Sequence, residues 1–152
     1  MKAVVQRVSY GAVKIKSENY FQEISQGYVI LLGIRNGDSE KDAIFLADKC
    51  ANLRVFEDQN EKMNLSLKDV NGEVLVISQF TLYGDAQRGN RPSFIEAAKP
   101  DVAIPLYEKF VQRLQEILTK EKVKVGIFGA MMEVQINNDG PVTIIIDSKI
   151  QP

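Results

Sequence analysis

Apolar positions along the chain follow two periods, and the switches between them map the elements. Residues Lys2 to Val8 alternate loosely, and β-branched content continues to Lys16. Val13 and Ile15 share one face there and Lys14 and Lys16 the other, as in a half-buried strand. Ser17-Glu18-Asn19 predicts a turn and Tyr20 to Ile24 a short return strand. Gly27 to Ile34 is almost continuously apolar, the pattern of a central strand, and Arg35-Asn36-Gly37-Asp38 ends it. The period then lengthens. Ser39 and Asp42 have capping-box spacing, and Ala43, Leu46, Ala47, Cys50 and Leu53 share one helical face, predicting a helix from about Glu40 to Leu53. Arg54-Val55-Phe56 predicts a short strand, and Asn71-Gly72 a turn ahead of a central strand from Glu73 to Phe80. Ser93 predicts the cap of a short helix through Ala98. Asp101 predicts the cap of a longer one to about Thr119, with Pro105 in or near its first turn and a stripe of Leu106, Phe110, Leu114, Ile117 and Leu118. Val123 to Phe128 reads as a strand, Met131 to Ile136 as another, Asn137 to Pro141 as a turn, and Val142 to Asp147 as the last strand.

No repeat, linker or low-complexity segment divides the pattern, so residues 1–152 are expected to form a single domain, long enough to bury its own core. A hydrophobic fraction of 45% and a charged fraction of 26% are those of an ordinary soluble protein. No apolar run approaches the roughly 20 residues that span a bilayer, which predicts no membrane partner. Lys2 and Arg7 interrupt the N-terminus too early for a signal peptide. One cysteine excludes an internal disulfide and suits a reducing cytoplasm. Cys50 itself, on the apolar helical face, reads as a small core residue.

Charge and residue counts narrow the chemistry. With 19 Lys and Arg against 20 Asp and Glu, bulk coating of nucleic acid is disfavoured, while grasping one RNA end is not. There is no histidine. Ser-His and Cys-His nucleophile pairs, an imidazole base and a His or Cys zinc site are all excluded, and neither a metal nor a cofactor is expected. Proton transfer must use carboxylates, Lys, Tyr, water or the substrate. Asp58 and Asn60 lack the glycine and the later glutamate of a calcium loop and read as a solvated turn.

One stretch concentrates polar chemistry at the end of an apolar run. Val74-Leu75-Val76-Ile77 leads directly into Ser78-Gln79-Phe80-Thr81-Leu82-Tyr83. Groups delivered by the end of a rigid strand can be aimed, as a site requires. On these residues alone, a strand leaving into a surface turn is the favoured reading. The following loop, Gly84 to Phe94, carries Arg88, Arg91 and Phe94; arginine pairs with phosphate and phenylalanine stacks on bases, but a solvated loop explains it as well.

Two stretches together resemble the D-aminoacyl-tRNA deacylase (D-Tyr-tRNA deacylase) family: Ser78-Gln79-Phe80-Thr81-Leu82-Tyr83 and Asn138-Asp139-Gly140-Pro141-Val142-Thr143. The similarity extends over essentially the whole chain, through Gln6-Arg7-Val8, Gly89-Asn90-Arg91-Pro92-Ser93-Phe94 and Gly126-Ile127-Phe128-Gly129-Ala130. It implies an α+β fold, a largely antiparallel, barrel-like β core with flanking helices, working as a symmetric homodimer with its sites at the interface. It implies hydrolysis of the ester joining a D-amino acid, or glycine, to the 3′-terminal adenosine of tRNA.

The resemblance also assigns roles. Ser78, Gln79, Phe80 and Thr81 would form the catalytic segment. Thr81 and Ser78 are the nucleophile candidates, yet a free hydroxyl is weak without a base. The substrate's ribose 2′-OH offers an alternative, orienting or activating water while Ser78 and the amides of Phe80 and Thr81 hold the ester and its oxyanion. A cis Gly140-Pro141 peptide would reach into the partner's site and reject L side chains, supported by Arg7, Asn138 and Thr143. Arg7 as a brace and Arg7 as a strand-surface charge are equally compatible with the sequence. Phe128 and Gly129 would meet the adenine, with core packing the rival for Phe128, and Arg88 and Arg91 would meet phosphates. A same-fold deacylase acting on L-amino acids and a noncatalytic RNA-end binding module are the competing readings.

Overall fold

The computed structural model describes residues 1–149. One long strand holds the molecule together. β1 (Lys2–Ile15) pairs antiparallel along one edge with β3 (Gly27–Gly33) through its first half and with β2 (Tyr20–Ile24) through its second. Its other edge pairs antiparallel with β8 (Glu133–Asp147) from Lys2 to Lys14. β6 (Glu73–Ser78) adds parallel to β3, and β7 (Val123–Val125) adds parallel to β6, giving the order β2-β1-β3-β6-β7 with β8 on the far side of β1. The Tyr20 hydroxyl donates to the Val125 carbonyl at 2.7 Å, which nearly closes this sheet into a barrel. β4 (Phe56–Glu57) and β5 (Met63–Leu65) form a separate small ribbon.

Alternation along the strands feeds two cores. Tyr28, Ile30, Leu32, Val74 and Val76 point to one face of the sheet, against α1 (Glu40–Asn52) and α2 (Pro100–Ile117). Val13, Ile15, Ile24, Val29, Leu75 and Ile77 point the other way and fill the barrel. Gly11 allows that filling, because a Cβ there would stand 2.6 Å from Val29 Cγ2. Cys50 is buried on α1, as the apolar face predicts, and burial pushes its thiol up to about 12. At the start of α1 the Asp42 carboxylate accepts from the Ser39 amide at 2.8 Å and the Ser39 hydroxyl at 2.9 Å.

Several local expectations change. Residues 93–98 form no helix; Ser93 instead exchanges both backbone hydrogen bonds with Asp85. α2 is capped by Lys99, not Asp101, because Pro100 takes the first helical position. β6 stops at Ser78, and Phe80–Tyr83 is a turn of 3-10 helix. Asn137 to Pro141 is not a turn between two strands. It is a bulge within one strand: β8 advances five residues, from Asn138 to Thr143, while β1 advances two, from Val8 to Gln6. Proline cannot donate to a ladder, so the strand accommodates Pro141 by leaving the ladder there.

Candidate active site

Strands β3, β6 and β7 run parallel, and a cleft opens where β6 and β7 end. Such crevices beyond the carboxyl ends of parallel strands are favoured binding positions. Its volume is about 280 Å³, and Ser78, Gln79 and Phe80 form one wall while Phe128, Gly129 and Met131 form the other. The chain is driven into this shape by β6. Four consecutive buried residues, Val74 to Ile77, lock the strand between the two cores, and the Gln79 amide makes a last bond to the Leu32 carbonyl at 2.8 Å. The 3-10 turn then lies down on β3 over Gly33, where a Cβ would stand 3.0 Å from Leu82 Cβ and 3.2 Å from the Gln79 carbonyl oxygen.

The first amides of a helical turn have no acceptor within it. Those of Phe80, which lines the cleft, and of the next residue Thr81 make no hydrogen bond among the described residues. The Thr81 hydroxyl is exposed and accepts a hydrogen bond from the Gln79 side-chain amide. A donor to that oxygen cannot remove its proton. Among the described residues of one protomer, no ionisable side chain lines the cleft. Phe80 is 56% exposed and meets the ring of Phe94 edge-on at 5.1 Å. Tyr83 closes the turn underneath; burial and the nearby Asp38 and Asp147 carboxylates push its phenol up, while Arg35 opposes them.

The remaining sequence-predicted residues divide. Phe128 and Gly129 stand in the cleft wall, and Phe128 also packs edge-on against Tyr107 at 6.0 Å, so it serves the core and the cleft together. Arg88 and Arg91 project from the exposed loop pinched by Asp85 and Ser93. Arg7 is no surface charge. It is 5% exposed, its Nε donates to the Asp139 carbonyl at 3.0 Å, and its Nη1 donates to the Val55 carbonyl at 2.7 Å. It therefore grips the residue immediately before Gly140. The Gly140–Pro141 bond is cis, and Gly140 has φ +124° with no room for a Cβ beside Val142 and Arg7. Asn138 pairs with Val8, and the Thr143 hydroxyl donates to Gln6 Oε1 at 2.6 Å, fixing the two ends of the bulge.

Gly140 and Pro141 do not line this cleft. Ser78 sits beside Leu32, Leu32 beside Ala3, and Ala3 beside Ile146, so β8 lies three strand spacings, about 14 Å, around the sheet. The two signature stretches are separate within one protomer. The sequence did not reveal the apolar floor supplied by Met132 and Val134, because the stretch leading into β8 reads as ordinary strand alternation.

The chain is similar to known proteins. The family model for D-Tyr-tRNA(Tyr) deacylase matches residues 4–147. A protein named D-aminoacyl-tRNA deacylase from Flavobacterium psychrophilum is 56% identical over 149 residues, covering 98% of each chain. One of the same name from Thermus aquaticus is 54% identical over 152 residues, covering 100% of this chain and 98% of its own. The solved structure of a "c-Myc DNA Unwinding Element Binding Protein" superposes with a TM-score of 0.89 at 40% identity, covering 97% and 98% of the two chains. That of a "probable eukaryotic D-amino acid tRNA deacylase" gives 0.81 at 16% identity over 95% and 97%, a likeness of fold.

Proposed function

The chain belongs to the D-Tyr-tRNA(Tyr) deacylase family, and from that membership we propose that it hydrolyses the ester between a D-amino acid and the 3′-terminal adenosine of tRNA, freeing both. The observation that carries the mechanism is that, among the described residues of one protomer, no ionisable side chain lines the cleft. Chemistry that needs a base must then find it elsewhere. The ribose 2′-OH beside the ester orients and activates a water. The water oxygen bonds to the ester carbon, the bond to O3′ breaks, and the proton passes to O3′ through the 2′-OH. The free amides of Phe80 and Thr81 receive the developing oxyanion, and Ser78 holds the ester. Two preorganised donors of this kind are worth about 10²–10³ in rate each.

Handedness is judged by main chain. At Cα, the side chain and hydrogen exchange places between D and L forms, so a fixed obstacle where an L side chain must go rejects every L residue. The carbonyls of Gly140 and Pro141 supply that obstacle. Arg7 and the Gln6–Thr143 bond hold them still, and a carbonyl has no rotamers to yield. Glycine, lacking a side chain, passes the filter. Because Gly140 and Pro141 stand apart from the cleft of their own protomer, they act on the cleft of a second copy, in a symmetric homodimer. Arg88 and Arg91 meet acceptor-end phosphates, so tRNA affinity should fall steeply with salt, about two fewer logarithmic units of slope when both are replaced by alanine. The setting is the cytoplasm, where tRNA is charged.

The test compares substrates and variants in one assay. D-Tyr-tRNA ending in 2′-deoxyadenosine should be nearly inert, while Thr81→Ala keeps much of the wild-type rate on the normal substrate. The reverse pair of results would restore Thr81 as nucleophile. Parallel L-Tyr-tRNA reactions separate this reading from an L-specific deacylase, and hydrolysis of neither leaves only an RNA-end binder.

A further inference from the structure

A second concavity adjoins the candidate active site across one ring. It holds about 370 Å³ between α2 and the segment following β7, and Phe128 walls both it and the cleft. Its floor is apolar, with Val111, Val125 and Ile127. Its rim is polar and comes from one face of α2: Glu108, Gln112 and Gln115, at spacings of four and three residues. None of these three side chains makes a hydrogen bond or ion pair among the described residues. Neighbouring Tyr107 is spoken for, its hydroxyl donating to the Val76 carbonyl at 2.9 Å.

The chemistry of this lining selects a class of ligand. Among the described residues no Lys or Arg lines the groove, and a carboxylate at the rim repels phosphate. An apolar floor with an aromatic wall suits a flat ring, since bases stack on such surfaces. Amide and carboxylate groups at the rim suit the hydrogen-bonding edge of that ring. A glutamate accepts from the exocyclic amine of cytosine, and a glutamine amide donates to ring nitrogen and carbonyl acceptors.

We propose that the groove between α2 and Phe128 receives the cytosine that precedes the terminal adenosine of tRNA, with Glu108 and Gln112 reading its edge. The inference rests on the deacylase reading, which places the terminal adenosine in the cleft on the other side of Phe128. Because one ring walls both spaces, two consecutive nucleotides of a single strand can reach them. The groove then contributes to binding and not to the ester's chemistry.

The experiment uses D-Tyr-tRNA charged chemically, carrying cytidine, uridine or an abasic site at the penultimate position. Deacylation is followed with the wild-type protein and with the Glu108→Gln/Gln112→Ala double variant, whose thermal midpoint is checked against wild type. We expect the abasic substrate to raise KM about tenfold with kcat unchanged, and uridine to fall between. In the double variant cytidine and uridine should agree within about threefold, while the abasic substrate, which loses the stacking, stays the weakest. Equal KM values for all three substrates in the wild type overturn the proposal. So does a double variant that lowers kcat equally on all three, because the groove would then hold the adenine itself. If no D-Tyr-tRNA is hydrolysed, the deacylase reading fails instead, and binding of the three RNAs, measured without turnover, still decides whether the base is read.

Discussion

Arg7 joins two parts of the chain through one guanidinium. It holds the carbonyl before Gly140 and the carbonyl of Val55, far apart in sequence, from a buried position. Replacing it by methionine leaves both carbonyls without a donor, at about 1–3 kcal/mol each. Lysine keeps the charge but lacks the planar fork that serves two directions at once. Arg7→Lys should therefore lower the urea midpoint and, by freeing the bulge, reduce the ratio of D- to L-Tyr-tRNA hydrolysis several-fold. Unchanged selectivity in a folded Arg7→Lys protein would remove the brace from the account of chirality. The sequence left Arg7 undecided for a physical reason. Alternation along β1 assigns faces only while the partner strand keeps step, and here β8 carries three extra residues opposite Arg7.

At the scale of elements, signals that were local came through and signals that depended on a partner did not. The helix over residues 40–52 and the strand over residues 20–24 follow from period and capping, which the chain states within a dozen residues. A bulge and a hairpin turn satisfy the same local demand of Gly140-Pro141, and only pairing of both flanks with β1 distinguishes them. Ser93 carries a cap signal, yet its backbone is spent on Asp85. The proposed catalytic segment was legible as a strand end, but not that its amides would be left free by a 3-10 turn lying on β3. Gly33 permits that contact. In Gly33→Ala the new methyl meets Leu82 Cβ and the Gln79 carbonyl at 3.0 and 3.2 Å, so the turn must shift by tenths of an ångström. Overpacking of this size costs about 1–3 kcal/mol in stability. On the proposed role of the Phe80 and Thr81 amides as oxyanion donors, their misplacement is felt more strongly in rate, so kcat should fall at least tenfold while KM for tRNA changes little. A variant with lowered stability and normal kcat would show that the turn tolerates the displacement.

Across the whole molecule, the two ends of the described chain meet at the start of α1. The Met1 ammonium lies 2.8 Å from Asp38 Oδ1 and donates to the Ser148 hydroxyl, while Lys149 reaches Asp42 at 3.1 Å and Asp38 at 3.6 Å. This cluster ties β1, the end of β8 and α1 into one block, and with it the sheet that carries both signature stretches. Burial pushes the Asp42 carboxyl up, but hydrogen bonds from Ser148, from the Ser39 amide and hydroxyl, and from Lys149 outweigh it and hold the group well below the usual carboxylate range. A carboxyl depressed by folding stabilises the native state above its unfolded pKa, near 3.9, and that contribution disappears as pH falls below this value toward the folded one. Asp42→Asn removes the titration and the Lys149–Asp42 ion pair, leaving the two pairs made by Asp38. The wild type should therefore be clearly the more stable protein at pH 7, and urea midpoints of the two should converge as pH is lowered from about 5 to 2. Parallel midpoint curves over that range would mean that Asp42 contributes nothing to acid sensitivity, and that the block is held by packing of Met1, Leu46 and Ala47 instead.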